Sequence, residues 1–225
     1  MSPIVPAIIP ESREHLDLTL KRISPFTHEA QVDVVDGKFV PFTSWPYGEG
    51  ALIKDIAQFT QEFLIEVDLM VSMPETVIEE YLKAGVRRVI VHLESTKELS
   101  RIHALKERYD FKLGFSIEND THLEVLTDVI QMADYVQLMG IAKIGSQGQP
   151  FDVRVLQRIR DIKASYPNLL ISIDGSVNEE TVAPLMKAGA DRCVVGSAIV
   201  KQEDSRHAFD ILVHLAQESQ IHNTL

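Results

Sequence analysis

The stretch Leu64-Ile-Glu-Val-Asp-Leu-Met70, Pro74-Glu-Thr-Val-Ile-Glu-Glu-Tyr-Leu-Lys-Ala-Gly85, Arg88-Val-Ile-Val-His-Leu-Glu94 reads as strand, helix, strand. The outer runs are short and rich in apolar and β-branched residues, whereas the middle places Val77, Ile78, Tyr81 and Leu82 on one helical face and ends at a glycine. The same plan recurs in both directions. Further strand-like runs occur at Ile4–Ile9, Ala30–Val35, Lys112–Glu118, Tyr135–Ile141, Leu169–Asp174 and Arg192–Ile199. Helical periodicity is readable at Glu14–Arg22, Gly50–Phe63, Thr96–Arg108, Thr121–Met132, Asp152–Ala164 and Ser205–Gln217, and at Asn178–Gly189 with Asn178 as N-cap. Eight strands each followed by a helix predict an α/β protein, a (β/α)8 barrel spanning residues 1–225 as one domain. An open doubly wound sheet also alternates strand and helix, but even spacing without a linker favours closure.

Composition is that of a globular chain able to bury its own core: 225 residues, 45% of them hydrophobic. The 22 Lys+Arg against 33 Asp+Glu give a formal charge of −11, which argues against nucleic acid and anionic membrane surfaces as partners. A single cysteine, Cys193 in an apolar run, excludes a disulfide framework and suggests a buried thiol in a reducing compartment. The opening Met-Ser-Pro-Ile-Val-Pro has no basic segment leading into a long apolar one, so the cytoplasm is the expected location.

A barrel strand is buried on both faces, so its polar residues are informative. They fall two apart at Gln31 and Asp33, Glu66 and Asp68, His92 and Glu94, Ser116 and Glu118, and Ser172 and Asp174, with Gln137 alone. Alternation puts these on one face and Val32, Val34, Val67, Leu69, Val91, Leu93, Ile171 and Ile173 on the other. The apolar face belongs under the helices, so the polar set points into the barrel, with Asp33, Asp68, Glu94, Glu118 and Asp174 toward the C-terminal mouth where such barrels carry their sites. Glu94 and Glu118 serve equally well as loop caps. Asp33, Asp68 and Asp174 together would repel one another unless a divalent cation or a shared proton relieves them.

Glycine turns follow the last three strands: Gly145 and Gly148 in Ile144–Gln149, Gly175 with Ser176, and Gly196 with Ser197. Backbone amides in such turns can cradle a phosphate, although glycine after a strand is first a turn residue. His92 is inward by parity, either near substrate or as a hydrogen-bonded core histidine. The histidines at 15, 103, 122, 207, 214 and 222 fall on helices or the tail and receive no role. Val40–Tyr47 is either an aromatic lid or a packed loop.

Gln-Val-Asp-Val-Val-Asp-Gly-Lys-Phe-Val-Pro (31–41), Glu-Val-Asp-Leu-Met-Val (66–71), Val-His-Leu-Glu (91–94), Gly-Ser-Gln-Gly-Gln-Pro-Phe (145–151), Ile-Asp-Gly-Ser-Val-Asn (173–178) and Ala-Gly-Ala-Asp-Arg-Cys-Val-Val-Gly-Ser-Ala-Ile (188–199) resemble the ribulose-phosphate 3-epimerase family in order. The resemblance implies a ribulose-phosphate-binding barrel that interconverts D-ribulose 5-phosphate and D-xylulose 5-phosphate. It also implies two catalytic aspartates, at Asp33 and Asp174, a divalent metal and a homo-oligomer. The family's two metal-ligand histidines fall on Gln31 and Asp68, neither of which is histidine. Its first-strand serine corresponds to Ala7. Met70 and Met139 keep two of the methionines beside the site, Val35 replaces another, and Ala142-Lys-Ile stands where an Asn-Pro-Gly-like tract is normal.

Epimerisation next to a ketone removes a proton from one face and returns one to the other, work suited to two carboxylates around an enediolate. Gln31, Asp33, Asp68 and Asp174 would form an all-oxygen ligand set that favours Mg2+ or Mn2+ over Zn2+. The extra carboxylate at 68 should raise the pKa values of Asp33 and Asp174. Ala7, Met70, Met139, Gly145, Gly148, Gly175, Ser176, Gly196 and Ser197 are the expected contacts of a sugar phosphate. The alternatives are another enediolate reaction, such as decarboxylation or aldol cleavage, or sugar-phosphate binding without catalysis.

Overall fold

In the computed structural model, which describes residues 2–48, 50–144 and 148–221, eight parallel strands close into a barrel in chain order. They are β1 (Ile4–Ile8), β2 (Glu29–Val35), β3 (Leu64–Met70), β4 (Arg88–His92), β5 (Lys112–Ile117), β6 (Tyr135–Met139), β7 (Leu170–Asp174) and β8 (Arg192–Val195), and β8 pairs with β1. Helices α1 (Arg13–Ile23), α2 (Ile78–Lys83), α3 (Leu99–Arg108), α4 (Arg154–Ser165), α5 (Val182–Ala188), α6 (Ser197–Val200) and α7 (Ser205–Ile221) fill the connections. The predicted strand 192–199 stops at Val195, because its second half turns into α6.

Two predicted helices are corrected to 3-10 segments, Ile53–Gln58 and Leu123–Asp128, and a third splits into a 3-10 turn, Pro74–Thr76, followed by α2. Thr121, Val125, Thr127, Val129 and Ile130 disfavour a long α-helix after β5. Helix α5 begins four residues beyond Asn178, whose side chain instead accepts from the amides of Glu180 (2.9 Å) and Thr181 (3.2 Å) in the preceding turn.

Alternation along the strands sorts the two faces as expected. Val32, Val34, Val67, Leu69, Val89, Val91, Ile171 and Ile173 join one apolar core with the helices. The bore is polar. Near the strand starts, Glu66 accepts from the Arg192 guanidinium (2.6 Å) and the Tyr135 hydroxyl (2.6 Å), and Arg192 also donates to Ser172 Oγ (3.2 Å). Gly114 makes room for this floor, since a Cβ there would lie 2.4 Å from the Tyr135 ring. Cys193 packs against Met186 in the helix-covered core, and burial pushes its thiol up to about 12. Among the described residues no helix is long and apolar enough to cross a membrane.

Candidate active site at the barrel mouth

Register brings the acids together. Gln31 lies opposite Glu66, Asp33 opposite Asp68, and Met139 opposite Asp174 on paired strands. One carboxylate oxygen from each of Asp33, Asp68 and Asp174 falls within 4.8 Å of the others. Gln31 Nε2 donates to Asp33 Oδ1 (2.9 Å) and to Asp174 Oδ2 (3.1 Å), tying β2 to β7 across the mouth. Asp68 is held from its other side, by His92 Nε2 on Oδ1 (3.0 Å) and by Gln137 Nε2 on Oδ2 (2.8 Å).

Burial raises the pKa of Asp33 well above the carboxylate range, and the charges of Asp174 and Asp68 add to it. Asp174 is pushed up to about 7, first by burial and then by Asp68, while hydrogen bonds from Gln31 and the Gly175 amide pull the other way. The expected effect of a third carboxylate is therefore present in both. His92 is raised because Asp68 outweighs the burial that disfavours its charge. The cluster also suits a cation. Gln31 Oε1 is buried without a hydrogen-bond partner, and turning the amide over would bring this oxygen between two carboxylates, an arrangement that a cation stabilises.

Of the two readings of His92, the structure takes the core histidine: the ring is fully buried, bonded to Asp68 and 5.5 Å from the Phe39 ring. Glu94 is a loop cap, accepting from the Glu118 amide (2.8 Å) and the Thr121 hydroxyl (2.5 Å). Glu118 is half-buried outside the acidic cluster, its pKa raised by burial and by Glu94. The loop 40–47 is packed: Trp45 sits edge-on against Phe59, and Ser44 Oγ bridges the Asp33 carbonyl and the Val35 amide. Val35, Val40 and Met70, with Phe39, Phe42 and Ile144 against them, make a small apolar cluster of their own.

Ala7 and Met139 are buried at the C-terminal, mouth-side ends of β1 and β6. Gly175 and Ser176 form a left-handed turn (φ +98° and +51°), and the Ser176 hydroxyl donates to the Gln149 carbonyl (2.6 Å), fastening the loop after β6 to the loop after β7. Gly196 is open: a Cβ there would meet only the Ala7 carbonyl, at 3.9 Å. Gly148 is exposed with φ +72°, whereas Gly145 and His222 lie outside the described residues. Gly140 was not foreseen. Its amide donates to the Asp174 carbonyl (2.6 Å), and a Cβ would stand 2.1 Å from the Gly175 carbonyl oxygen. Nothing in the run Tyr135–Ile141 signals this approach. A cleft of about 630 Å³ beside Glu179, Glu203, Asp204 and His207 lies outside the barrel, away from the three acids.

The model of the ribulose-phosphate 3 epimerase family matches residues 3–200. The chain is similar to the ribulose-phosphate 3-epimerase of Aquifex aeolicus (strain VF5), 31% identical over 195 residues, covering 85% of this chain and 84% of that protein. It is also similar to that of Bacillus subtilis (strain 168), 33% identical over 182 residues, with 79% and 82% covered. Among solved structures, a 3-hexulose-6-phosphate synthase superposes with TM-score 0.71 at 18% identity over 96% of this chain and 99% of that one. Orotidine 5'-phosphate decarboxylase from Pyrococcus horikoshii OT3 gives 0.66 at 19% identity, with 95% and 99% covered. At such identities these two similarities establish the barrel alone.

Proposed function

Because the chain belongs to the ribulose-phosphate 3-epimerase family, we propose that it epimerises a ketose phosphate, ribulose 5-phosphate in the first instance, at the carbon next to the ketone. The observation that carries this reading is the Gln31 amide joining Asp33 and Asp174 at the mouth. Both carboxylates are raised, so near neutral pH one can hold a proton while the other is ionised, as paired acid and base require. One aspartate takes the proton from the carbon, and the other returns one to the opposite face.

Gln31, Asp33, Asp68 and Asp174 would hold a divalent metal, and four oxygen donors favour Mg2+ or Mn2+. Such an ion, when bound, supplies the positive charge that an enediolate needs. Backbone groups of Gly145, Gly148, Gly175, Ser176, Gly196 and Ser197 receive the phosphate in our reading. The open space at Gly196 supports this. The Ser176 hydroxyl is spent on Gln149, so that residue contributes through its backbone. Ala7, Met70 and Met139 line the sugar. We extend the proposal to one barrel domain working as a homo-oligomer in the cytoplasm, within pentose phosphate metabolism and without nucleic-acid partners.

Incubation with ribulose 5-phosphate in deuterated water, with and without Mn2+, tests the reading. Xylulose 5-phosphate carrying deuterium at the exchanging carbon is the expected product. A different product would point to another enediolate reaction, and binding without exchange would leave a sugar-phosphate-binding protein.

A further inference from the structure

Asp68 stands where the family resemblance leads one to expect an imidazole, and a carboxylate behaves differently there. It carries a negative charge, and the charges of Asp33 and Asp174 favour its swinging away from them about its Cα–Cβ bond. Two side chains oppose that rotation. His92, at the end of β4, meets one oxygen, and Gln137, reaching across the bore from β6, meets the other. Both are fully buried, and neither uses its remaining polar atom: His92 Nδ1 and Gln137 Oε1 have no hydrogen-bond partner. A purely structural pair would satisfy those atoms or be apolar, because a buried polar atom left unpaired costs stability. The polar engagement of both residues is directed at Asp68.

We infer that His92 and Gln137 are positioning residues that lock the Asp68 carboxylate as a cation ligand, so that an aspartate can serve where the family places a histidine. The inference rests on the proposed metal site and concerns how its third carboxylate is held. Outer partners of metal ligands commonly change affinity by about tenfold to a hundredfold when removed.

The test uses the full chain, with Mn2+ alone and inorganic phosphate alone as probes in calorimetric titrations, and thermal melting as a check on folding. His92→Met and Gln137→Met keep bulk and remove the donor. Each should weaken Mn2+ binding about tenfold or more and leave phosphate affinity within about twofold. His92→Gln, which can return an Nε2 donor toward Asp68, should recover most of the loss, a rescue that mere packing would not produce. If a Met variant does not fold, Gln137→Asn, with the donor one methylene short, takes its place. Mn2+ affinity unchanged in folded Met or Asn variants, with the parent binding Mn2+ normally, overturns the positioning role and leaves the metal site standing. A parent chain that binds no Mn2+ overturns both.

Discussion

The carboxylate at position 68 joins Asp33 and Asp174 in one cluster at the barrel mouth, with the Gln31 amide between the latter two. Asp174, at the open end of that cluster, is the residue whose loss should separate chemistry from binding. Asp174→Asn keeps the shape and the Gly175 turn, so turnover should fall by about a hundredfold to ten-thousandfold while phosphate affinity holds. Steady-state rates beside calorimetry check this, and a variant with near-parental turnover would remove Asp174 from the acid/base pair. The same residue sets a pH dependence. Its pKa, raised to about 7, means that the folded chain keeps a proton which the unfolded chain has already released. That stabilisation is complete below the unfolded value of about 4 and is lost as pH rises through 7. Metal-free protein should therefore melt at lower temperature at about pH 8 than at about pH 5, and Asp174→Asn should reduce the difference. Equal slopes in parent and variant would show that Asp174 does not carry it. Asp33, Asp68 and Asp174 were legible because a two-residue alternation is a local property. The partners of Asp68 were not, since His92 and Gln137 lie 24 and 69 residues away and meet it only when the barrel closes.

Between strands and helices, the loops after β6, β7 and β8 divide their glycines into two kinds. Gly140 is structural: its missing Cβ lets the ends of β6 and β7 approach, with the Gly175 carbonyl oxygen where a methyl would be. Gly140→Ala should destabilise the fold by about 1–3 kcal/mol through overpacking and should disturb the Gly175–Ser176 turn with it. Denaturant melts would show this as a lowered midpoint, and an unchanged midpoint would mean that the two loops can part without loss. Gly196 is different, because a Cβ there meets little of the protein. Gly196→Val should leave the midpoint close to the parent's and weaken phosphate about tenfold, the worth of roughly one charge-assisted contact. A folded Gly196→Val that binds phosphate as well as the parent would make this glycine a turn residue only. Glycines just past a strand announced these turns in the sequence, whereas Gly140 sat inside an apolar run and carried no such signal. The 3-10 segments escaped for a related reason. Over six residues, as in Ile53–Gln58, periods of 3.0 and 3.6 place the same positions on one face.

Closure of the whole molecule was readable from eight evenly spaced strand and helix units, but its register and its floor were not. The floor is a consequence of closure: β8 brings Arg192 beside β7 and β1, and its guanidinium crosses the bore to Glu66 on β3 while lying 5.1 Å from the Tyr135 ring centre on β6. Read one strand at a time, Arg192 is only the first residue of an apolar run, and Glu66 is only one more inward acid. Together they form an ion pair nearly sealed from water, with Glu66 fully buried and Arg192 5% exposed. Such a pair adds little over apolar packing, yet removing one partner leaves a buried charge uncompensated. Arg192→Met should therefore cost about 3–5 kcal/mol in urea unfolding, because Tyr135 alone would remain to hold the Glu66 carboxylate. Adding Glu66→Gln removes the stranded charge and should return much of that loss, even though the double variant has fewer polar contacts than the single one. The folded fraction of both should still bind phosphate like the parent, since this network lies at the strand starts and the glycine turns at the strand ends. An Arg192→Met chain within about 1 kcal/mol of the parent would mean that the floor relaxes or admits water. Weakened phosphate binding in that variant would show instead that the floor and the mouth are coupled through the polar bore between them.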